Sequence, residues 1–204
     1  RADELAAAIL LTNPNAAASS EVRAAIDRTV HYAGWTDKYE SLLGSVNPVS
    51  PPHFNFTVTE PMGIVGILAP DEAPVLGLLS LILPAITSGN SVVVHASTTQ
   101  PYPSMLLGEM LATSDLPGGV VNLLTGVRSE LIPTFATHEH LRALSGVAND
   151  AERKALRLGA AESVKRVHLR KAEEPIDWFA DQMQGAEEIR ALVEFKTTWH
   201  PVGG

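Results

Sequence analysis

The chain has 204 residues, of which 45% are hydrophobic and 19% charged, as expected for one folded domain or one domain with a small appendage. Its net charge of −8 disfavours nucleic acid or an anionic membrane as the main partner. There is no cysteine, which excludes disulfides, thiolate metal sites and a cysteine nucleophile from this chain. With no long apolar run and no evident signal peptide, we expect a cytoplasmic protein without a membrane partner. Because the first residue is Arg1, we expect a trimmed, processed or partial chain.

Two helices are predicted within the first fifty residues. Residues 1–11 form the first, which ends at the turn around Pro14, and Ser20 to Leu43 form the second. The proline-rich stretch 47–52 cannot be helical and is predicted to be an extended connector. The alternating residues Phe54 to Thr59 then predict a strand with one face in water.

From residue 64 onwards, short apolar runs alternate with helix-length segments. The runs at 64–68, 91–94 and 120–124 predict strands buried on both faces. Helices are predicted at 74–87, 103–113 and 129–137, followed by a strand near 141–145. This β-α-β-α-β order predicts an α/β fold with a doubly wound parallel sheet.

The last quarter of the chain is more charged. It is predicted to form a helix at 150–159, a strand at 164–169, short helices at 175–184 and 186–192, and a final strand from Val193 to Trp199. A strand at a chain end needs a partner edge, either in this chain or in another subunit. We therefore predict a subunit interface on the face of this strand that carries Val193, Phe195, Thr197 and Trp199.

Four motifs occur in one order between residues 60 and 146. They are EPMGIVGILAP at 60–70, PAITSGNSVVV at 84–94, LPGGVVNLLTG at 116–126 and LSG at 144–146. Together they resemble the cofactor domain of aldehyde dehydrogenases. The resemblance implies a Rossmann-like cofactor domain, a separate catalytic domain and a small β flap that pairs between subunits. It also implies oxidation of an aldehyde by NAD or NADP through a cysteine thiolate, with an asparagine at the oxyanion and a glutamate that activates water.

The resemblance also locates the family's functional positions, and this sequence departs from the family there. The oxyanion asparagine falls on Glu72, whose carboxylate would repel a developing oxyanion. His95 and Thr98 replace the lysine and glutamate that hold the cofactor's ribose, Arg128 stands where the family has further glycines, and Val147 replaces a serine. The positions that would still form a degenerate cofactor site are Ala69, Pro70, His95, Ser97, Thr98, Gly126, Ser145 and Gly146. We therefore expect no resident cofactor, with NAD binding weak if present.

Some of these residues have a simpler explanation. Asp71 and Glu72 could be an acid/base pair, but adjacent acids are also favourable at a helix N-terminus. His95 could hold a phosphate or ribose, although a histidine at a strand end is more often solvated. The tripeptide 138–140 (HEH) lacks the spacing of a helical zinc pair, so no metal site is predicted.

We expect three regions: a helical segment at 1–53, a Rossmann-like cofactor-type domain at 54–160 and an oligomerisation segment at 161–204. Only about 45 residues separate Gly146 from the final strand, which leaves no room for the family's catalytic domain. The chain thus resembles the degenerate second half of two-part aldehyde dehydrogenases. The predicted function is a non-catalytic structural or assembly domain, whose partner is a second copy of itself, an aldehyde dehydrogenase catalytic part, or both. The alternative is an NAD(P)-dependent aldehyde dehydrogenase component that oxidises aldehydes with a catalytic cysteine supplied by another chain or domain.

Overall fold

A computed structural model describes residues 1–202 of the chain as two β-sheets with helices packed around the larger one. The helices are α1 (Ala2–Thr12), α2 (Ala18–Ala33), α3 (Tyr39–Leu43), α4 (Leu76–Thr87), α5 (Pro101–Ala112), α6 (Arg128–Thr137), α7 (Asp150–Glu162) and α8 (Ala186–Arg190). The strands are β1 (Ser45–Asn47), β2 (His53–Pro61), β3 (Ile64–Leu68), β4 (Ser91–His95), β5 (Val121–Leu124), β6 (Leu141–Ala148), β7 (Arg166–Lys171) and β8 (Val193–Pro201).

The larger sheet has five strands in the order β5-β4-β3-β6-β7, and every neighbouring pair is parallel. The chain starts at the central strand β3, winds outward to β5, and then returns past β3 to β6 and β7. This doubly wound order is Rossmann-like and confirms the predicted fold class. It also creates a crevice between the carboxyl ends of β3 and β6, where such folds place their ligands.

The core lies on both faces of this sheet. Helix α4 is apolar on nearly every side, and Leu76, Leu78 and Leu81 are each at most 1% exposed, as expected for a buried helix. On the other face, a Cβ on Gly66 would lie 3.0 Å from the side chains of Leu144 and Phe135. Glycine is therefore required in β3 because α6 packs closely there.

The smaller sheet is antiparallel, in the order β1-β2-β8. The predicted final strand is confirmed, and it pairs along its whole length with β2, from His53 opposite Pro201 to Pro61 opposite Val193. The predicted division assigns the strand at 54–59 to the cofactor-type domain and the strand at 164–169 to the C-terminal segment. The sheets cut across that division, since β2 belongs to the smaller sheet and β7 is the outer strand of the parallel sheet. The domain boundaries themselves stay a prediction.

The polarity of β2 is the reverse of what its alternation suggests. Asn55 and Thr59 are buried, whereas Phe54 is 44% and Val58 40% exposed. Asn55 is held inward by Asn47, whose Nδ2 donates to Asn55 Oδ1 at 2.5 Å and to Thr57 Oγ1 at 2.9 Å. The hydroxyl of Thr59 is buried without a hydrogen-bond partner among the described residues. The smaller sheet therefore presents an apolar face to solvent.

Two predicted helices are wrong in extent. The helix expected from Ser20 to Leu43 is interrupted between α2 and α3, where residues 34–38 form turns. The helix expected at 175–184 is reduced to one 3-10 turn at Asp181–Gln184, because Asp177 accepts the backbone N–H of Phe179 at 3.0 Å and holds a local turn instead. The predicted connector at 47–52 begins within strand β1.

Residues 172–192 link β7 directly to β8. This segment is anchored by four buried side chains: Trp178, Met183, Ile189 and Leu192. Within residues 1–202, none of the helices has the length and apolar character needed to cross a membrane.

Candidate cofactor crevice

The carboxyl edge of the parallel sheet brings the predicted cofactor positions together. In the register of the sheet, Leu68 lies opposite both His95 and Gly146, and His95 lies opposite Leu124. The residues that follow β3, β4 and β5 therefore meet Ser145 and Gly146 of β6 at one edge. The four predicted interface residues lie elsewhere, on β8 of the smaller sheet.

Asp71 organises the loop that follows β4. Its Oδ1 accepts the hydroxyl of Ser97 at 2.6 Å and the backbone N–H groups of Thr98 at 2.8 Å and Thr99 at 3.3 Å. Burial acts to raise the pKa of Asp71, but these hydrogen bonds and nearby Arg128 together hold that pKa below its usual range. Ser97 and Thr98 are thus already engaged by a side chain of the protein itself.

His95 is fully buried, so the expectation of a solvated strand end is wrong for this residue. Its Nε2 lies 3.0 Å from the carbonyl oxygen of Gly126, and its Nδ1 is buried without a hydrogen-bond partner among the described residues. The imidazole therefore joins the ends of β4 and β5 beneath the surface.

The N-terminus of α4 is stabilised by an acid that sequence reasoning did not identify. The helix begins at Leu76, and the acid that binds it is Glu21 of α2, whose Oε1 accepts the N–H groups of Val75 at 2.9 Å and Leu76 at 3.1 Å. Burial raises the pKa of Glu21, although the two N–H donors act against that shift. Glu72, by contrast, is exposed in the turn before the helix. The expected role of Asp71 and Glu72 at a helix N-terminus is therefore wrong.

Arg128, the first residue of α6, fills the crevice between β3 and β6. Its Nη1 donates to the carbonyl oxygen of Ala69 at 3.2 Å, and its Nη2 donates to the carbonyl oxygen of Val147. Its Nε lies 3.3 Å from Oε1 of Glu152, while the other oxygen of Glu152 accepts the N–H of Asn149 at the start of α7. One side chain thus bridges the two strands and a helix N-terminus.

The space left at this edge is small. A cleft of about 140 Å³ remains beside Arg128, lined also by Pro70, Asp71, Glu72 and Glu152. Sites for drug-sized ligands and cofactors usually measure about 300–1,000 Å³. Of the three carboxylates that line this cleft, Glu152 forms an ion pair with Arg128, and Asp71 accepts hydrogen bonds from the loop after β4.

A family model described as the aldehyde dehydrogenase family matches residues 1–172. The chain belongs to the aldehyde dehydrogenase family. The match ends one residue after β7, so residues 173–192 of the link to β8 lie outside it.

Named relatives of this aldehyde dehydrogenase family member include a putative aldehyde dehydrogenase, DhaS, of Bacillus subtilis. It is 28% identical over 155 residues, which are 76% of this chain and 31% of that protein. Human retinal dehydrogenase 2 is 31% identical over 140 residues, 68% of this chain and 26% of that protein. The chain thus spans roughly a quarter to a third of these relatives.

The structural comparison agrees. A structure of an aldehyde dehydrogenase from Bacillus cereus, described as an NAD+ complex, superposes with a TM-score of 0.77 at 25% identity. It covers 83% of this chain, which corresponds to 35% of that protein. An NAD-binding type of fold is therefore present in this aldehyde dehydrogenase family chain.

The described residues 1–202 contain no cluster of side chains suited to bind a metal ion. Across residues 1–202, no three or more His, Asp or Glu side chains are grouped so as to hold a metal ion. His138 and His140 have ring centroids 5.7 Å apart, and the backbone N–H of His140 donates to Nδ1 of His138.

Proposed function

We propose that this chain is a non-catalytic aldehyde dehydrogenase-like domain with a structural or assembly role beside an aldehyde dehydrogenase catalytic part. The observation that carries the proposal is the position of Arg128. Its guanidinium occupies the crevice between β3 and β6, bound to carbonyl oxygens of both sides.

The residues at the crevice do not fit a dinucleotide. The cleft beside Arg128 measures about 140 Å³, well below the usual size of a cofactor site. A dinucleotide would have to displace a guanidinium that is paired with Glu152 and bound to two carbonyl oxygens, and those carbonyls would then lose their donors. It would also meet the carboxylates of Asp71 and Glu72 at the same edge, which repel phosphate.

The reactive groups of the family's chemistry are missing from these 204 residues as well. The sequence contains no cysteine, so it supplies no thiolate to attack an aldehyde. At the position of the oxyanion asparagine, Glu72 is exposed and offers no hydrogen-bond donor when ionised.

The smaller sheet supports the assembly role. Large apolar side chains on both of its faces are exposed: Phe54 at 44% and Val58 at 40% on one face, and Phe195 at 44% and Trp199 at 62% on the other. Contiguous exposed apolar surface on a sheet is typical of a protein–protein contact. The identity of the partner and the number of chains in the assembly are part of what we propose.

Cofactor binding and turnover test this function. We expect calorimetric titration with NAD+ or NADP+ to show no saturable binding below about 1 mM, and the purified chain to form no NADH from aldehydes. An Arg128→Ala variant should bind the dinucleotide more tightly than the wild-type chain, whereas Arg157→Ala, the same change at an exposed position of α7, should not. A micromolar dissociation constant for the wild-type chain, or turnover near 1 per second, would refute the proposal.

The alternative is an NAD(P)-dependent component that receives its cysteine from another chain. The retained Rossmann-like strand order and the match to an NAD+ complex favour it. Micromolar NAD binding by the wild-type chain, without turnover until a cysteine-bearing chain is added, would select this alternative.

A further inference from the structure

A second cleft lies between the carboxyl end of β7 and the link that leads to β8. Its volume is about 400 Å³, within the range usual for small-molecule sites. One wall is formed by residues 169–171 of β7 and by Arg153 of α7, and the other by residues 174–177, 182 and 183 of the link. The second wall lies beyond residue 172, where the match to the family ends. This cleft is therefore separate from the crevice at Arg128 and depends on a segment outside the family match.

The first wall carries three cationic side chains, Arg153, Arg170 and Lys171. Nε of Arg153 and Nη1 of Arg170 are buried and have no acceptor among residues 1–202. A buried donor that lacks an acceptor is unfavourable, and such groups are usually satisfied by protein, water or a bound ion. The wall thus combines positive charge with donors that the described residues leave unused.

The acids beside the two arginines compensate them only in part. Nη1 of Arg153 lies 3.0 Å from Oδ1 of Asp150, but the side chain of Asp150 is 79% exposed, and ion pairs so open to water are weak. Nη2 of Arg170 lies 2.5 Å from Oε1 of Glu188, whose other carboxylate oxygen is 3.5 Å from Nε2 of His168. Each guanidinium therefore has one nitrogen bound to an acid and another without an acceptor.

We propose that this cleft binds a monocarboxylate with an apolar chain, and that Arg153 and Arg170 hold its carboxylate. Guanidinium and carboxylate groups match in planar geometry and form strong, charge-assisted hydrogen bonds. The carboxylate would supply the acceptors that the two buried donors lack. This site goes beyond the assembly role proposed above and does not depend on it.

The remaining lining residues define the class of ligand. Leu169, Ile176 and Met183 provide an apolar surface, on which an unbranched or aromatic group can pack, and methionine adapts readily to different shapes. The carboxylates of Glu174 and Asp177 also line the cleft, where they would repel a second negative charge. A singly charged carboxylate is therefore favoured over phosphate.

Calorimetric titration of the wild-type chain with hexanoate tests the site. We expect saturable binding with a dissociation constant below about 1 mM. Hexan-1-ol, which has the same chain without the charge, and inorganic phosphate should each bind at least about tenfold more weakly, since hydrogen bonds to charged groups are the stronger ones.

Replacement of Arg153 tests the assigned contact. Its present partner Asp150 is exposed, so Arg153→Gln leaves that carboxylate in water and the fold intact. The variant should bind hexanoate at least about tenfold more weakly than the wild-type chain. Arg157→Gln, the same change one turn further along α7 at an exposed position, should leave binding unchanged.

A measurement on the unmodified chain locates the ligand without any substitution. In nitrogen-15 spectra, hexanoate should shift the Nε–H signal of Arg153 and leave that of Arg128 in place. The proposal is refuted if hexanoate does not bind, if phosphate or hexan-1-ol binds as tightly, if Arg157→Gln weakens binding as much as Arg153→Gln, or if the signal of Arg128 moves instead. The titrations with NAD+ concern the other cleft, so the two proposals fail separately.

Discussion

Substitution of Glu21 tests how the N-terminus of helix α4 is stabilised. Replacing it with alanine removes the acceptor for the N–H groups of Val75 and Leu76, both of which lie in the buried core. An unsatisfied buried donor costs about 1–3 kcal/mol. The loss of a helix N-cap typically costs about 0.5–2 kcal/mol. We therefore expect Glu21→Ala to lower the free energy of unfolding by about 2–4 kcal/mol in urea titrations.

Glu21→Gln separates the hydrogen bonds from the charge. Its amide oxygen still accepts the same N–H groups, so the variant should lie within about 1 kcal/mol of wild type at neutral pH. Burial raises the pKa of Glu21, so its contribution to stability is present below about pH 4.3 and declines as the pH rises through the folded-state pKa. Wild type should therefore lose stability relative to Glu21→Gln as the pH rises above about 4.3. A loss below about 0.5 kcal/mol for Glu21→Ala, or a difference from Glu21→Gln that does not change with pH, would contradict this reasoning.

Two further substitutions test contacts at the carboxyl edge of the parallel sheet. Gly146→Ala should cost about 3 kcal/mol or more in urea unfolding, because its φ is +126° and a Cβ would lie 2.1 Å from the carbonyl oxygen of Leu68. Gly118→Ala, where a Cβ meets nothing within 4 Å, should change stability by less than about 0.5 kcal/mol, and equal effects would contradict the argument. Asp71→Asn should cost about 1–2 kcal/mol at pH 7 because it weakens charge-assisted hydrogen bonds. Because the pKa of Asp71 is lowered, this difference from wild type should shrink as the pH falls below about 3.9, and a difference that persists at low pH would exclude the assigned role.

The parallel sheet could be predicted from the sequence because its strands carry a local signal. The runs 64–68 and 91–94 are apolar at nearly every position, and only strands covered on both faces tolerate that pattern. The resemblance then supplies the cofactor positions, and the register of β3, β4 and β6 brings them to one edge of the sheet.

The partners of individual side chains could not be predicted. Glu21 looks like an ordinary acid in the first turn of α2, and its contact with α4 crosses more than 50 residues of sequence. The sequence shows that Arg128 stands where the family has glycines, but its two carbonyl acceptors depend on how α6 is placed over the sheet. The reversed polarity of β2 could not be predicted either, because the inward-facing amide of Asn55 is bound by Asn47 of β1, a neighbour that only the folded sheet supplies.

The pairing of β2 with β8 has a consequence for the order in which this chain folds. The two strands are separated by about 130 residues of sequence, and the whole parallel sheet lies between them. Closing so long a loop is slow compared with forming the local β-α units, which can assemble as they leave the ribosome. At about 5–20 residues per second, β2 waits roughly 7–25 seconds for β8 to be synthesised. During that interval its edge and the exposed Phe54 and Val58 have no β8 beside them, so a chaperone or a neighbouring nascent chain would meet this strand first.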